Sequence, residues 1–194
     1  MNREPTHGGM RIDPRSSIRA GLPPVSNTDV TNQGEPMADA ASHIRARGLP
    51  PTMRLVLGGL FVGTLDLAFA WIFWQPHGVG LARILQSVAA GLLGAASFKS
   101  GTASALLGAG LHYFIATMFV VVYRLAGLRH AGLRRHPVAC GLAYGVLLYL
   151  AMNFIVLPLS AAGMPSFDNA PWVASSIVMH AVFGVMCALF ARRA

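Results

Sequence analysis

Residues 54–75 read RLVLGGLFVGTLDLAFAWIFWQ, 22 positions with one arginine at the start and one aspartate near the middle. At ~1.5 Å per residue, a helix of that length covers roughly 33 Å, enough to cross the ~30 Å hydrocarbon layer of a bilayer. Three later stretches repeat the texture, at about 102–124, 137–159 and 171–191. The pattern predicts an all-α, polytopic membrane protein with four transmembrane helices in a bundle. Between the first two runs lies LARILQSVAAGLLGAASF at 81–98. Its Leu81, Ile84, Leu85, Val88 and Leu92 recur at helical spacing, with Arg83, Gln86 and Ser87 opposite. That amphipathicity predicts an interfacial or re-entrant helix rather than a fifth span. Were it to span, the C-terminus would change sides.

Composition agrees with lipid as the solvent. Of 194 residues, 54% are hydrophobic and only 11% charged, against about 25% charged in water-soluble domains; mean hydropathy is +0.54. A net charge of +8 and a pI near 10.8 would suit a nucleic-acid ligand if the basic residues formed one soluble patch. Instead, they lie in the N-terminal tail and between apolar runs, which speaks against nucleic acid and for membrane lipids as partner. Residues 1–52 have no apolar periodicity, as in GLPPVSNTDVTNQGEP at 21–36, and are expected to form a disordered cytoplasmic tail. Met37 and Met53 are alternative initiators of the transmembrane domain at 53–194. No signal-peptide pattern precedes the first span, which is expected to serve as its own insertion signal.

Arginines set the expected orientation. Arg45, Arg47, Arg54, Arg124, Arg129, Arg134, Arg135, Arg192 and Arg193 fall on one side and only Arg83 and Lys99 on the other, placing both termini in the cytoplasm. Trp71, Trp74 and Trp172 then fall at the outer interface, where amphipathic rings settle.

Three ionisable groups lie inside the runs. Asp66 is twelve residues from Arg54, His112 twelve from Arg124 and His180 twelve from Arg192, so all three are expected at one depth, ~18 Å along their helices. Small residues at four-residue spacing share their stripes: Gly59, Gly63 and Ala70 with Asp66; Ala105, Gly108 and Ala116 with His112; Ser176, Gly184 and Ala188 with His180. Such stripes mark packing faces. The third span offers Gly141, Gly145, Tyr149 and Asn153. Three readings of this layer stand open. It is a structural network in which Asp66 accepts from the imidazoles and Tyr149 or Asn153 satisfies the rest; or it handles protons or a small polar solute; or His112 and His180, with or without Asp66, ligate haem b or a divalent metal.

Other signals are weaker. Cys140 and Cys187 suit small buried apolar positions. His130 and His136 stand among topology-setting arginines. No Walker, Rossmann, HExxH or GxSxG pattern occurs, so nothing favours an enzyme. The glycine stripes permit a homodimer. Over GTLDLAFAWIFW at 63–74, RILQSVAAGLLG at 83–94, LGAGLHYFIA at 107–116 and YGVLLYLAMNFIVLPLSA at 144–161, the chain resembles a group of small bacterial inner-membrane proteins, YagU-like, with no established substrate or reaction. The resemblance covers 53–193, includes Asp66, His112 and Asn153, and implies residence in a bacterial inner membrane.

Overall fold

The computed structural model describes residues 49–193 and is helical nearly throughout, with no strand among the described residues. Helix α1 runs Pro51–Trp74, opened by a proline in its first turn, where a missing N–H costs nothing. A 3-10 turn at Gln75–His77 follows, then α2 at Leu81–Leu93 and a second 3-10 segment at Gly94–Lys99. Helix α3 covers Gly101–Arg129, and a five-residue α4, Ala131–Arg135, leads into α5 at Pro137–Ala151. A π-helical turn, Met152–Val156, joins α5 to the short α6, Leu157–Leu159, and α7 closes the chain at Ala170–Arg193. The tail expected over 1–52 lies outside the described residues, except that Pro51 and Thr52 already belong to α1.

Among the described residues, five helical segments are long and apolar enough to cross a membrane: Pro51–His77, Leu81–Lys99, Gly101–Arg129, Pro137–Leu159 and Ala170–Arg193. They are apolar outward as well as inward. Ile72, Leu106, Phe114, Leu147 and Val178 are each at least 60% exposed, which is stable only where the surroundings are themselves apolar. This is a multi-pass membrane protein.

α1, α3, α5 and α7 pack on one another with alternating direction, and α2 packs along α3. α1 and α3 run antiparallel, with Gly59 against Thr117 and Gly63 against Tyr113 and Ala116. α5 and α7 approach more closely still: a Cβ on Gly145 would overlap the His180 carbonyl, and one on Gly184 would overlap Gly141 and Gly145. At one end of α1 and α7 the Arg54 guanidinium donates to the Arg193 carbonyl, and at the other Trp172 stacks on Phe69, 5.4 Å between centroids. One end of the bundle is thus rich in arginine and the other in tryptophan. The expected glycine stripes are packing faces, as small residues let helix backbones meet.

α2 leaves and returns at the tryptophan end. It starts three residues after the turn that ends at His77, its Gly91 carbonyl accepts from Ala161 N just beyond α6 at 3.0 Å, and its 3-10 extension feeds into the start of α3. Glycines in the left-handed region turn the chain at Gly94 (φ 58°) and Gly101 (φ 56°). Between these points α2 crosses α3 so tightly that a Cβ on Gly108 would strike the Leu85 carbonyl.

Packing is uneven along the bundle. Toward the arginine end Val62, Val120, Tyr123, Phe183, Cys187, Ala188 and Ala191 form a continuous buried core. Tyr144 closes it by donating to the Phe119 carbonyl at 2.8 Å, its ring edge-on to Tyr123. Toward the tryptophan end the bundle is hollow.

Candidate functional site

The hollow is a cavity of about 630 Å³. Its mouth is framed by Trp74, Arg83, Phe167 and Trp172, and its floor by Val62, Phe119 and Phe183, which belong to or touch the buried core. All five residues singled out from the sequence, Asp66, His112, His180, Tyr149 and Asn153, line it.

Each is positioned by a local feature of its helix. Asp66 sits one turn beyond the Gly63 contact with α3, and its side chain keeps 36% of its surface accessible although it points into the bundle. Among the described residues, no group donates a hydrogen bond to it. The nearest titratable side chain is His112, whose Nδ1 is 4.0 Å from Oδ2. His112 is instead anchored by its other nitrogen, which lies 2.7 Å from the Gly63 carbonyl oxygen. A carbonyl only accepts, so Nε2 carries the proton, and a neutral His112 turns the lone pair of Nδ1 toward Asp66. On α7, His180 Nδ1 donates to the Ser176 carbonyl at 2.8 Å, which leaves Nε2 as its free acceptor. The Tyr149 ring lies edge-on to His180 at 5.4 Å.

Asn153 owes its place to the π-helical turn. Pro158 has no N–H for the Phe154 carbonyl and its ring would collide with that carbonyl in a regular α-helix. The wider turn at Met152–Val156 relieves this, and π-turns of this kind recur at functional sites. Asn153 Nδ2 then donates to the Tyr149 carbonyl at 2.9 Å.

Two details of the sequence reading are corrected. Among the described residues no hydrogen bond joins Asp66 to either imidazole: His112 Nδ1 stands 4.0 Å from Oδ2, and His180 is held through Nδ1 to the Ser176 carbonyl. Nor do Tyr149 and Asn153 complete a network with Asp66, since the Asn153 amide bonds within its own helix. As for ligation, no group of three His, Cys, Asp or Glu side chains among the described residues is placed to hold a metal ion.

Two contributors were not legible as site residues. Ser176 appeared only as a small residue of the α7 stripe, yet its Oγ is buried, has no hydrogen-bond partner and lines the cavity. Arg83 appeared as the polar face of an amphipathic helix. It stands at the mouth with its guanidinium 3.8 Å above the Phe98 ring. The cysteines take no part: Cys187 is in the buried core and Cys140 is half-buried. No family model, curated protein or solved structure matches this chain.

Proposed function

We propose that this is a non-enzymatic protein of a bacterial inner membrane that takes protons or a small polar solute into a blind cavity from the outer side. In this reading α1, α3, α5–α6 and α7 are the four spans, α2 lies at the outer interface, and both termini are cytoplasmic. The return of α2 to the tryptophan end supports the four-span count, and the arginine bias supports the orientation. The YagU-like resemblance supports the bacterial inner membrane. One observation carries the functional part: Asp66, His112, His180, Tyr149 and Asn153, from four separate helices, surround one cavity. Ionisable groups at such depth are costly unless they meet a partner or water, and a purely structural network would have bonded them to each other. The buried core under the cavity argues for a site that loads from one side, not for an open channel.

Thiol labelling tests this. In a Cys140→Ala/Cys187→Ala background, Asn153→Cys, at a half-buried position lining the cavity, should react with a small charged thiosulfonate applied from the periplasmic side and be protected from the same reagent on the cytoplasmic side. Arg193→Cys should show the reverse. Reaction of Asn153→Cys from both sides would mean a channel. No reaction from either would leave the polar groups a structural network, and a periplasmic Arg193→Cys would overturn the four-span topology.

A further inference from the structure

The hydrogen-bonding groups around the deep half of the cavity are unequal in kind. Asp66 offers two carboxylate oxygens with no donor among the described residues. His180, anchored through Nδ1, offers the Nε2 lone pair. Asn153, with one amide hydrogen on the Tyr149 carbonyl, keeps its Oδ1 and its second amide hydrogen, and His112 turns Nδ1 toward Asp66. Against these stand two hydroxyls, Tyr149 and the unpartnered Ser176, and a hydroxyl accepts as readily as it donates. The site is therefore short of hydrogen-bond donors and holds a carboxylate. Its walls are aromatic: Phe69, Phe119, Phe183 and Trp172 present ring surface to the same space, and ring faces attract cations more strongly where water is excluded.

We infer that the cavity binds a hydrophobic molecule carrying a protonated amine, with the ammonium against Asp66 and the apolar body among the aromatic rings. An ammonium brings three donors and a positive charge, which is what Asp66, His180 Nε2 and Asn153 Oδ1 lack. A volume of about 630 Å³ has room for one ring system or chain behind that head group. A carboxylate ligand would do the opposite: it would add acceptors to a site already full of them and set a second negative charge near Asp66. Arg83 does not reverse this preference, because it stands at the mouth with its charge spread over the Phe98 ring. This inference rests on the solute-binding reading above and names the chemical class of the solute.

The test uses three molecules with one skeleton: 1-naphthylethylamine, the corresponding naphthylethanol and naphthylacetate. Each is titrated into the full-length protein in nanodiscs, and binding is read from energy transfer out of the tryptophans, of which Trp74 and Trp172 line the cavity mouth. The amine should bind at least tenfold more tightly than the alcohol, and the acetate should not bind above its partition into lipid. Asp66→Asn should reduce the amine to the level of the alcohol, while Arg83→Gln should leave the amine unchanged or tighter. Equal binding of amine and alcohol to the wild-type protein would overturn the inference even if Asp66→Asn fails to fold. Preferred binding of the acetate, lost in Arg83→Gln, would make this an anion site instead. If Asn153→Cys labels from outside and none of the three binds, the ligand class is wrong and the cavity reading stands. If Asn153→Cys does not label, both fall.

Discussion

The α5–α7 contact has the least tolerance in the bundle, and Gly145→Ala tests it. The added methyl would overlap the His180 carbonyl oxygen and lie 2.6 Å from Ala181 Cα, whereas carbon atoms rest about 3.5–4.0 Å apart. The obstacles are backbone atoms, so no side chain can rotate away and the two helices must part by about 1 Å. Overpacking of this kind costs roughly 1–3 kcal/mol, or about a 5- to 150-fold change in the folding equilibrium. Gly110→Ala is the matched control. It is the same substitution within α3, but the new Cβ would meet nothing within 4 Å, and replacing a mid-helix glycine should stabilise by up to about 1 kcal/mol. Reversible unfolding in mixed micelles, moving from mild detergent to dodecyl sulfate and followed by circular dichroism, should shift the midpoint down for Gly145→Ala and up for Gly110→Ala. Because His180 is in the same contact, Gly145→Ala should also weaken amine binding. Equal midpoints for the two variants would refute the backbone contact and, with it, the placement of His180.

Three further outcomes are expected. Tyr144→Phe removes the hydroxyl that holds α5 to the Phe119 carbonyl and should lower stability in the same assay by about 0.6 kcal/mol, and by no more than about 1.7; no change would mean the hydroxyl has another acceptor. Pro158→Ala removes the cause of the π-turn, so the α5 ladder should close and turn Asn153 off the cavity, slowing thiosulfonate labelling of Asn153→Cys; an unchanged rate would show that the turn has a different origin. Phe114→Arg places a charge on an outward face that is 60% exposed and should reduce membrane insertion by about 2.5–3.5 kcal/mol, read from the glycosylated fraction in an insertion reporter. Normal insertion would mean that Phe114 faces protein or water.

A blind cavity with a carboxylate at its base differs from a through-channel in what mutation does to it. Changes at the mouth, such as Arg83 or Trp172, alter access, whereas Asp66 alters the preference for charge. The compact core of Val120, Tyr123 and Cys187 governs whether the arginine end ever opens. Those separations make the site testable residue by residue.

Runs of about 20 apolar residues determined the helical membrane class, because only a helix satisfies its own backbone in lipid. Glycine spacing marked the faces that pack, and Asp66, His112 and His180 line one cavity. The helical class and the packing faces follow from periodicity along single helices, which a sequence records directly. Partners across helices are set by tertiary packing. That His112 and His180 bond to carbonyls instead of to Asp66, that Pro158 opens a π-turn beneath Asn153, and that Ser176 is left without a partner depend on helix rotation and separation at the level of an ångström. Small residues permit many such arrangements and specify none, so only the tertiary structure decided that Asp66, His112 and His180 line a cavity and are not hydrogen-bonded to one another.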